Sequence, residues 1–109
     1  MEAQAHVKNV RISPQKARLV TRMIQGRSVA DALQLLSFSP KKAARLVEKV
    51  VKSAAANARV KGADDDALKV TEAVANEGMR LKRFKPDARG RVGRRTHRYS
   101  HISVTVKDD

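Results

Sequence analysis

The stretch "RLKRFKPDARGRVGRRTHRYS" (Arg80–Ser100) carries nine Lys or Arg side chains against a single acid, Asp87, and only three large apolar residues, Leu81, Phe84 and Val92. A segment with so little to bury adds nothing to a core, yet apolar alternation resumes on both sides of it. After it, Ile102, Val104 and Val106 alternate with Ser103, Thr105 and Lys107, the period of a half-buried strand. Before it, Leu68, Val70 and Val74 share one parity, whereas Met79 and Leu81 share the other. Parity that flips within a half-buried strand requires an extra residue, so a bulge is expected near Asn76 to Gly78. Sequential strands joined by a Gly-containing connection usually pair antiparallel, which makes the quoted stretch the arms and tip of one hairpin. Pro86, Gly90 and Gly93 put the tip near Asp87 to Gly93. Each arm beyond the body is then about eight to ten residues, roughly 30 Å at about 3.3 Å per residue. A lone two-stranded ribbon is marginal in water, and this one adds same-sign repulsion, so by itself it is expected to be mobile.

Upstream the period is helical. Ser13 before Pro14 supplies a side-chain acceptor at an N-cap and a first helical residue with no N–H to orphan. Ala17, Val20, Met23 and Ile24 then share a face until Gly26. Ser28 with Asp31 approximates a capping box ahead of Val29, Ala32, Leu33 and Leu36. Ser39-Pro40 repeats the first signal and predicts the start of a third, longest helix. Its apolar face is Ala43, Ala44, Val47, Val50, Val51, Ala54 and Ala58, and Lys42, Arg45, Lys49 and Lys52 line another face. Gly62 and the acidic loop Asp64, Asp65, Asp66 end it. A short strand is expected at Ala3 to Val10. The predicted fold is α+β: three helices packed on a small antiparallel three-stranded sheet, with a long protruding basic β-hairpin. One domain is expected over residues 1–109, with a globular body at about 1–79 and 101–109 and the hairpin at about 80–100.

The charge narrows the function. Lys and Arg number 24 against 11 acids, a formal net charge of +13. Such a field repels itself and attracts polyanions. The chain has no Cys, which excludes disulfides, thiolate metal sites and a thiol nucleophile and suits a reducing cytoplasm. No apolar run approaches the roughly 20 residues of a membrane span. The start "MEAQAHVKNV" lacks the pattern of a secretory signal, so export is not expected.

A basic stretch is ordinarily a solvated loop or a tail, but this one is returned to the core by Ile102, Val104 and Val106. Arg dominates its tip, and a guanidinium can fork onto two phosphate oxygens or stack on a base. Gly90 and Gly93 allow close backbone approach. Phe84 and Tyr99 are expected either to stack on unpaired bases or to pack on each other across the arms. The basic helix face and the cluster Lys8, Arg11, Lys16, Arg18 and Arg22 point the same way, to a surface that wraps nucleic acid. His97 and His101 lie about 13 Å apart if both are on a strand, and the Asp64 to Asp66 loop reads as solvated rather than as a cation site. With no catalytic triad spacing and no phosphate-binding Gly-rich loop, no enzyme, metal or cofactor is expected. The rival class is a small DNA-architectural protein with a basic β-arm, although such arms carry an apolar wedge and this tip offers only Val92.

The segments "VRISPQKARLV", "FSPKKAARLVEKVVKSAAANA", "LKRFKPDARGR" and "SHISVTV" together resemble the bacterial form of the large-subunit ribosomal protein family numbered twenty-two in the universal scheme. The likeness covers nearly the whole chain. It implies a body seated on large-subunit rRNA at the outer mouth of the polypeptide exit tunnel. It also implies a hairpin forming tunnel wall near the narrowest point, opposite a loop of the large-subunit protein numbered four. Early subunit assembly and macrolide resistance are family associations as well. The implied location is the cytoplasm, in the ribosome. The implied partners are rRNA, neighbouring large-subunit proteins and the nascent polypeptide, with no membrane and no small-molecule substrate.

Carried over by position, the RNA-binding residues are Arg11, Ser13, Lys16, Lys82, Arg83, Lys85, Arg89, Arg91 and Arg98. The same basic surfaces add Arg18, Lys41, Lys42, Arg45, Arg94 and Arg95. The tunnel-facing tip is Ala88, Arg89, Gly90, Arg91, Val92 and Gly93. Asp87 stands where the family usually has Arg, and Tyr99 where Thr is common. Asp87 is expected either to pair with Arg89 or Arg91 or to face the lumen.

Overall fold

A computed structural model describes residues 2–63, 67–86 and 92–108, and for 79–86 and 92–97 the backbone alone. The order is β1 (Glu2–Val10), α1 (Pro14–Ile24), α2 (Val29–Phe38), α3 (Lys42–Val60), β2 (Lys69–Pro86) and β3 (Val92–Lys107). The sheet runs β1-β3-β2, antiparallel at both junctions. The last strand lies in the middle because Ile102, Val104 and Val106 bury one whole face, each at 0% exposure. Helix α3 crosses β1 and β3, α1 lies on β2, and α2 packs on α3, so all three helices cover that face.

The core is built from small residues. Ala3, Ala5, Ala73 and Ala75 from the sheet meet Ala17, Ala32, Ala43, Ala44, Ala54, Ala55 and Ala58 from the helices, with Ile24, Leu36, Leu68 and Ile102 as the largest buried side chains. The edge strand β1 is blunted by α3. Asn57 Nδ2 donates to the Gln4 carbonyl at 2.8 Å and Lys61 Nζ to the Glu2 carbonyl at 2.9 Å, which uses backbone acceptors that would otherwise invite another strand.

The predicted helix faces are the buried faces, and Lys42, Arg45, Lys49 and Lys52 are exposed. Ser13 and Ser28 cap α1 and α2, accepting from the Lys16 and Asp31 N–H groups. Gly26 takes φ +84, a left-handed conformation that suits Gly. Its N–H donates to the Val70 carbonyl at 2.8 Å, and the Val70 N–H returns to the Arg27 carbonyl at 2.8 Å, tying the α1–α2 turn to the start of β2.

The signal at Ser39-Pro40 does not start α3. Ser39 is the C-cap of α2, its N–H donating to the Leu36 carbonyl. It is occupied in closing one helix, so the chain uses Pro40 and extended Lys41 to change direction before α3 begins at Lys42.

Strand β2 carries two register shifts. One falls between Glu77 and Arg80, overlapping the stretch where the parity flip placed a bulge. The other, between Val70 and Glu72, was not expected. It moves Ala73 and Ala75 into the core and leaves Val74 half-buried on the opposite face. Val74 therefore does not share a face with Leu68 and Val70. A third shift, in β1 between Val7 and Val10, accompanies Asn9 at φ 56.

Pairing with β1 stops at Val10↔Ser100, and among the described residues, from Arg80↔Arg98 to Pro86↔Val92, strands β2 and β3 pair only with each other. This ribbon raises the radius of gyration to 16.9 Å, against about 13 Å for a compact chain of this length. Seven residues of each arm are described, roughly 23 Å. The tip at 87–91, which holds Asp87, Ala88, Arg89, Gly90 and Arg91, lies outside the described residues, as do Asp64, Asp65 and Asp66.

Candidate nucleic-acid interface

Three basic patches lie on this frame. The first is a groove of about 350 Å³ where the start of α1 meets the start of α3, lined by Ile12, Lys16, Leu19, Lys41, Lys42 and Ala43. Lys42 Nζ reaches the Arg11 carbonyl at 3.5 Å, bridging the two helix starts. Lys41 occupies the N-cap of α3 with no side-chain acceptor on the first turn, so the positive end of the helix dipole adds to the lysine charge.

The second patch is at the foot of the hairpin. Pro14, Gln15, Arg18, Glu77 and Arg98 line a polar pocket of about 280 Å³. Arg18 Nε donates to the Ala75 carbonyl on the β2 edge at 3.0 Å, which fixes its guanidinium beside the point where the ribbon leaves the body. Its remaining N–H donors suit an anion in the fork geometry of Arg. Opposite, the buried Ser100 hydroxyl donates to the Ile12 carbonyl at 2.7 Å, holding the segment before α1 against β3.

The ribbon is the third. Its register sets Arg80 opposite Arg98, Lys82 opposite Thr96, Arg83 opposite Arg95, Phe84 opposite Arg94 and Lys85 opposite Gly93. In this register Phe84 is opposite Arg94, and Tyr99 lies five residues further along β3, roughly 17 Å.

The structure thus gathers Lys16, Lys41 and Lys42 at one groove and Arg18 and Arg98 at another. Arg11 and Arg45 are exposed beside them. Ser13 is turned to the backbone: its hydroxyl accepts from the Lys16 N–H at 3.4 Å, a capping role. On α3, Lys52 pairs with Glu48 at 3.0 Å, an exposed pair of small energetic weight. Sequence reasoning missed Ile12, Leu19 and Ala43, the apolar lining of the first groove. The available signal was Leu19, which sits off the Ala17, Val20, Ile24 stripe of α1. Among the described residues no group of three or more His, Cys, Asp or Glu is placed to hold a metal ion. Among them, too, no helix is long and apolar enough to cross a membrane.

This geometry defines a class: a small, strongly basic α+β protein that carries cations on its helix starts and along a projecting ribbon. Residues 5–107 match the family described as ribosomal protein L22p/L17e. A large ribosomal subunit protein uL22 from Thermotoga sp. (strain RQ2) is 50% identical over 109 residues, covering 99% of this chain and 69% of that protein. The chain belongs to the L22p/L17e family of large-subunit ribosomal proteins, structural components of the ribosome and not enzymes.

Proposed function

We infer that the chain binds large-subunit rRNA by charge and shape, with the body docking first and the ribbon following the RNA inward. Residues 1–79 and 101–109 act as the docking body and 80–100 as the arm. The observation that carries this reading is the ribbon register: Arg80 faces Arg98 and Arg83 faces Arg95. Like charges directly opposite destabilise a strand pair, and no third strand is paired to this part of the ribbon among the described residues. Phosphates between and around these positions turn a liability into the binding energy of the complex.

Arg11, Lys16, Lys41, Lys42 and Arg45 serve the body contact, Arg18 and Arg98 the hairpin foot, and Lys82, Arg83, Lys85, Arg89, Arg91, Arg94 and Arg95 the arm. Ser13 supports Lys16 by capping the helix that carries it. Residues Ala88 to Gly93 form the end that reaches the exit tunnel and the passing nascent chain. Docking of the body before the arm suits a role early in subunit assembly.

The test is a salt series with the free protein and deproteinised large-subunit rRNA. About eight phosphate contacts give a log–log slope on the order of −6 to −7. A slope near −2 would sink the extended contact. Migration of the endogenous protein with the nucleoid, and not with the large subunit, would favour the DNA-architectural reading instead.

A further inference from the structure

We propose that the groove between the starts of α1 and α3 receives a single unpaired nucleobase, splayed out of its RNA strand, while Lys16, Lys41 and Lys42 hold the phosphates on either side. This rests on the rRNA-binding reading and adds the chemical class of the ligand at one patch. Ile12, Leu19 and Ala43 supply apolar lining, and the other lining residues are three lysines with no acid among them. Leu19 remains 51% exposed although α1 already buries Ala17, Val20 and Ile24, so its presence is not explained by the protein's own core. The volume, about 350 Å³, falls in the range of sites for small ligands, about 300–1,000 Å³.

Three simpler occupants fit less well. A wholly apolar partner would strip water from three ammonium groups without replacing it. A paired RNA backbone would satisfy the lysines and leave Leu19 wet. A protein partner needs about twenty to thirty residues a side for a stable interface, and this groove offers six. An unstacked nucleotide brings a flat apolar face and adjacent phosphates together, and flipped bases are held between apolar side chains elsewhere in nucleic-acid recognition. Lys42, held at the Arg11 carbonyl, keeps further ammonium donors for a phosphate.

The test uses the full chain with deproteinised large-subunit rRNA, combining a salt series with base-specific chemical probing. Leu19→Gln, at an exposed position, is expected to weaken binding about tenfold. It should leave the salt slope unchanged and re-expose an unpaired base that the parent protein protects, whereas Leu19→Met should retain the protection. Lys41→Gln should instead reduce the magnitude of the slope by about 0.7–0.9. If Leu19→Gln binds and protects like the parent, or if the Lys41→Gln slope is unchanged, the groove proposal is overturned while rRNA binding stands. If the parent protein fails to bind, both readings fall together. A photoreactive group at position 19 that cross-links to a protein in the assembled subunit would also overturn the proposal, giving the groove to a neighbour.

Discussion

Ser100 is fully buried, and its hydroxyl donates to the Ile12 carbonyl across 88 residues of sequence. That bond joins the foot of the hairpin to the segment that begins α1, and so to the groove formed by Ile12, Lys16 and Leu19. Removing the hydroxyl leaves a buried carbonyl without its donor, a loss of about 1–3 kcal/mol. Ser100→Ala should therefore lower the melting temperature by at least about 4–8 °C, the shift expected per kcal/mol in a small domain. Ser103 is the control. Its hydroxyl meets His6 Nδ1 at 2.8 Å in an exposed setting, where water can replace it, and Ser103→Ala should change stability by about 0.5 kcal/mol or less. Equal melting shifts for the two variants would mean that the Ser100 bond is not what holds the hairpin foot.

The strand that leads into the ribbon depends on its bulges. At the second one, a Cβ on Gly78 would lie 3.1 Å from the Tyr99 carbonyl oxygen and 3.2 Å from His101 Cε1. One of those neighbours is backbone and can give little, whereas the His101 ring can turn, although it accepts the Asn9 N–H at 3.1 Å. Gly78→Val should cost about 1–3 kcal/mol in urea unfolding, and Gly78→Ala less. A neutral Gly78→Val would show that the β2–β3 approach is looser than described. This bulge was legible in the sequence because Met79 and Leu81 are large enough to mark a parity. The bulge between Val70 and Glu72 was not, because Val74 between Ala73 and Ala75 puts the stronger apolar residue on the outer face. The helix caps at Ser13 and Ser28 were equally legible, while Ser39 shows a limit: the same Ser-Pro pair can close one helix instead of opening the next. In the candidate site the cations could be read from composition and position. The apolar lining could not, because Ile12 and Ala43 come from segments 31 residues apart and meet only once α1 and α3 are packed.

A net charge of +13 on a chain of this size makes folding and binding respond to salt in opposite directions. In the free protein the cations on the helix starts, the hairpin foot and the ribbon repel one another, and each is drawn closer to the rest by folding. Screening shortens that repulsion: the Debye length falls from about 10 Å at 0.1 M salt to about 3 Å at 1 M. Added NaCl should therefore stabilise the isolated chain. Between about 0.05 and about 0.5 M the gain is expected to be on the order of 1 kcal/mol, or about 4–8 °C in melting temperature. Over the same range the affinity for rRNA should collapse, because each phosphate contact loses the entropy of released counterions. A variant with Arg83, Arg94, Arg95 and Arg98 all changed to Gln separates the two effects. It removes four charges from the ribbon without touching a buried side chain of the body, so its melting temperature should depend less on salt and its rRNA slope should be shallower by about 3. Calorimetry of the parent and the variant across the salt series provides the check. If the parent melts lower as salt rises, its cations are already balanced by acids within the fold, and the outward-directed field on which rRNA binding depends is not there.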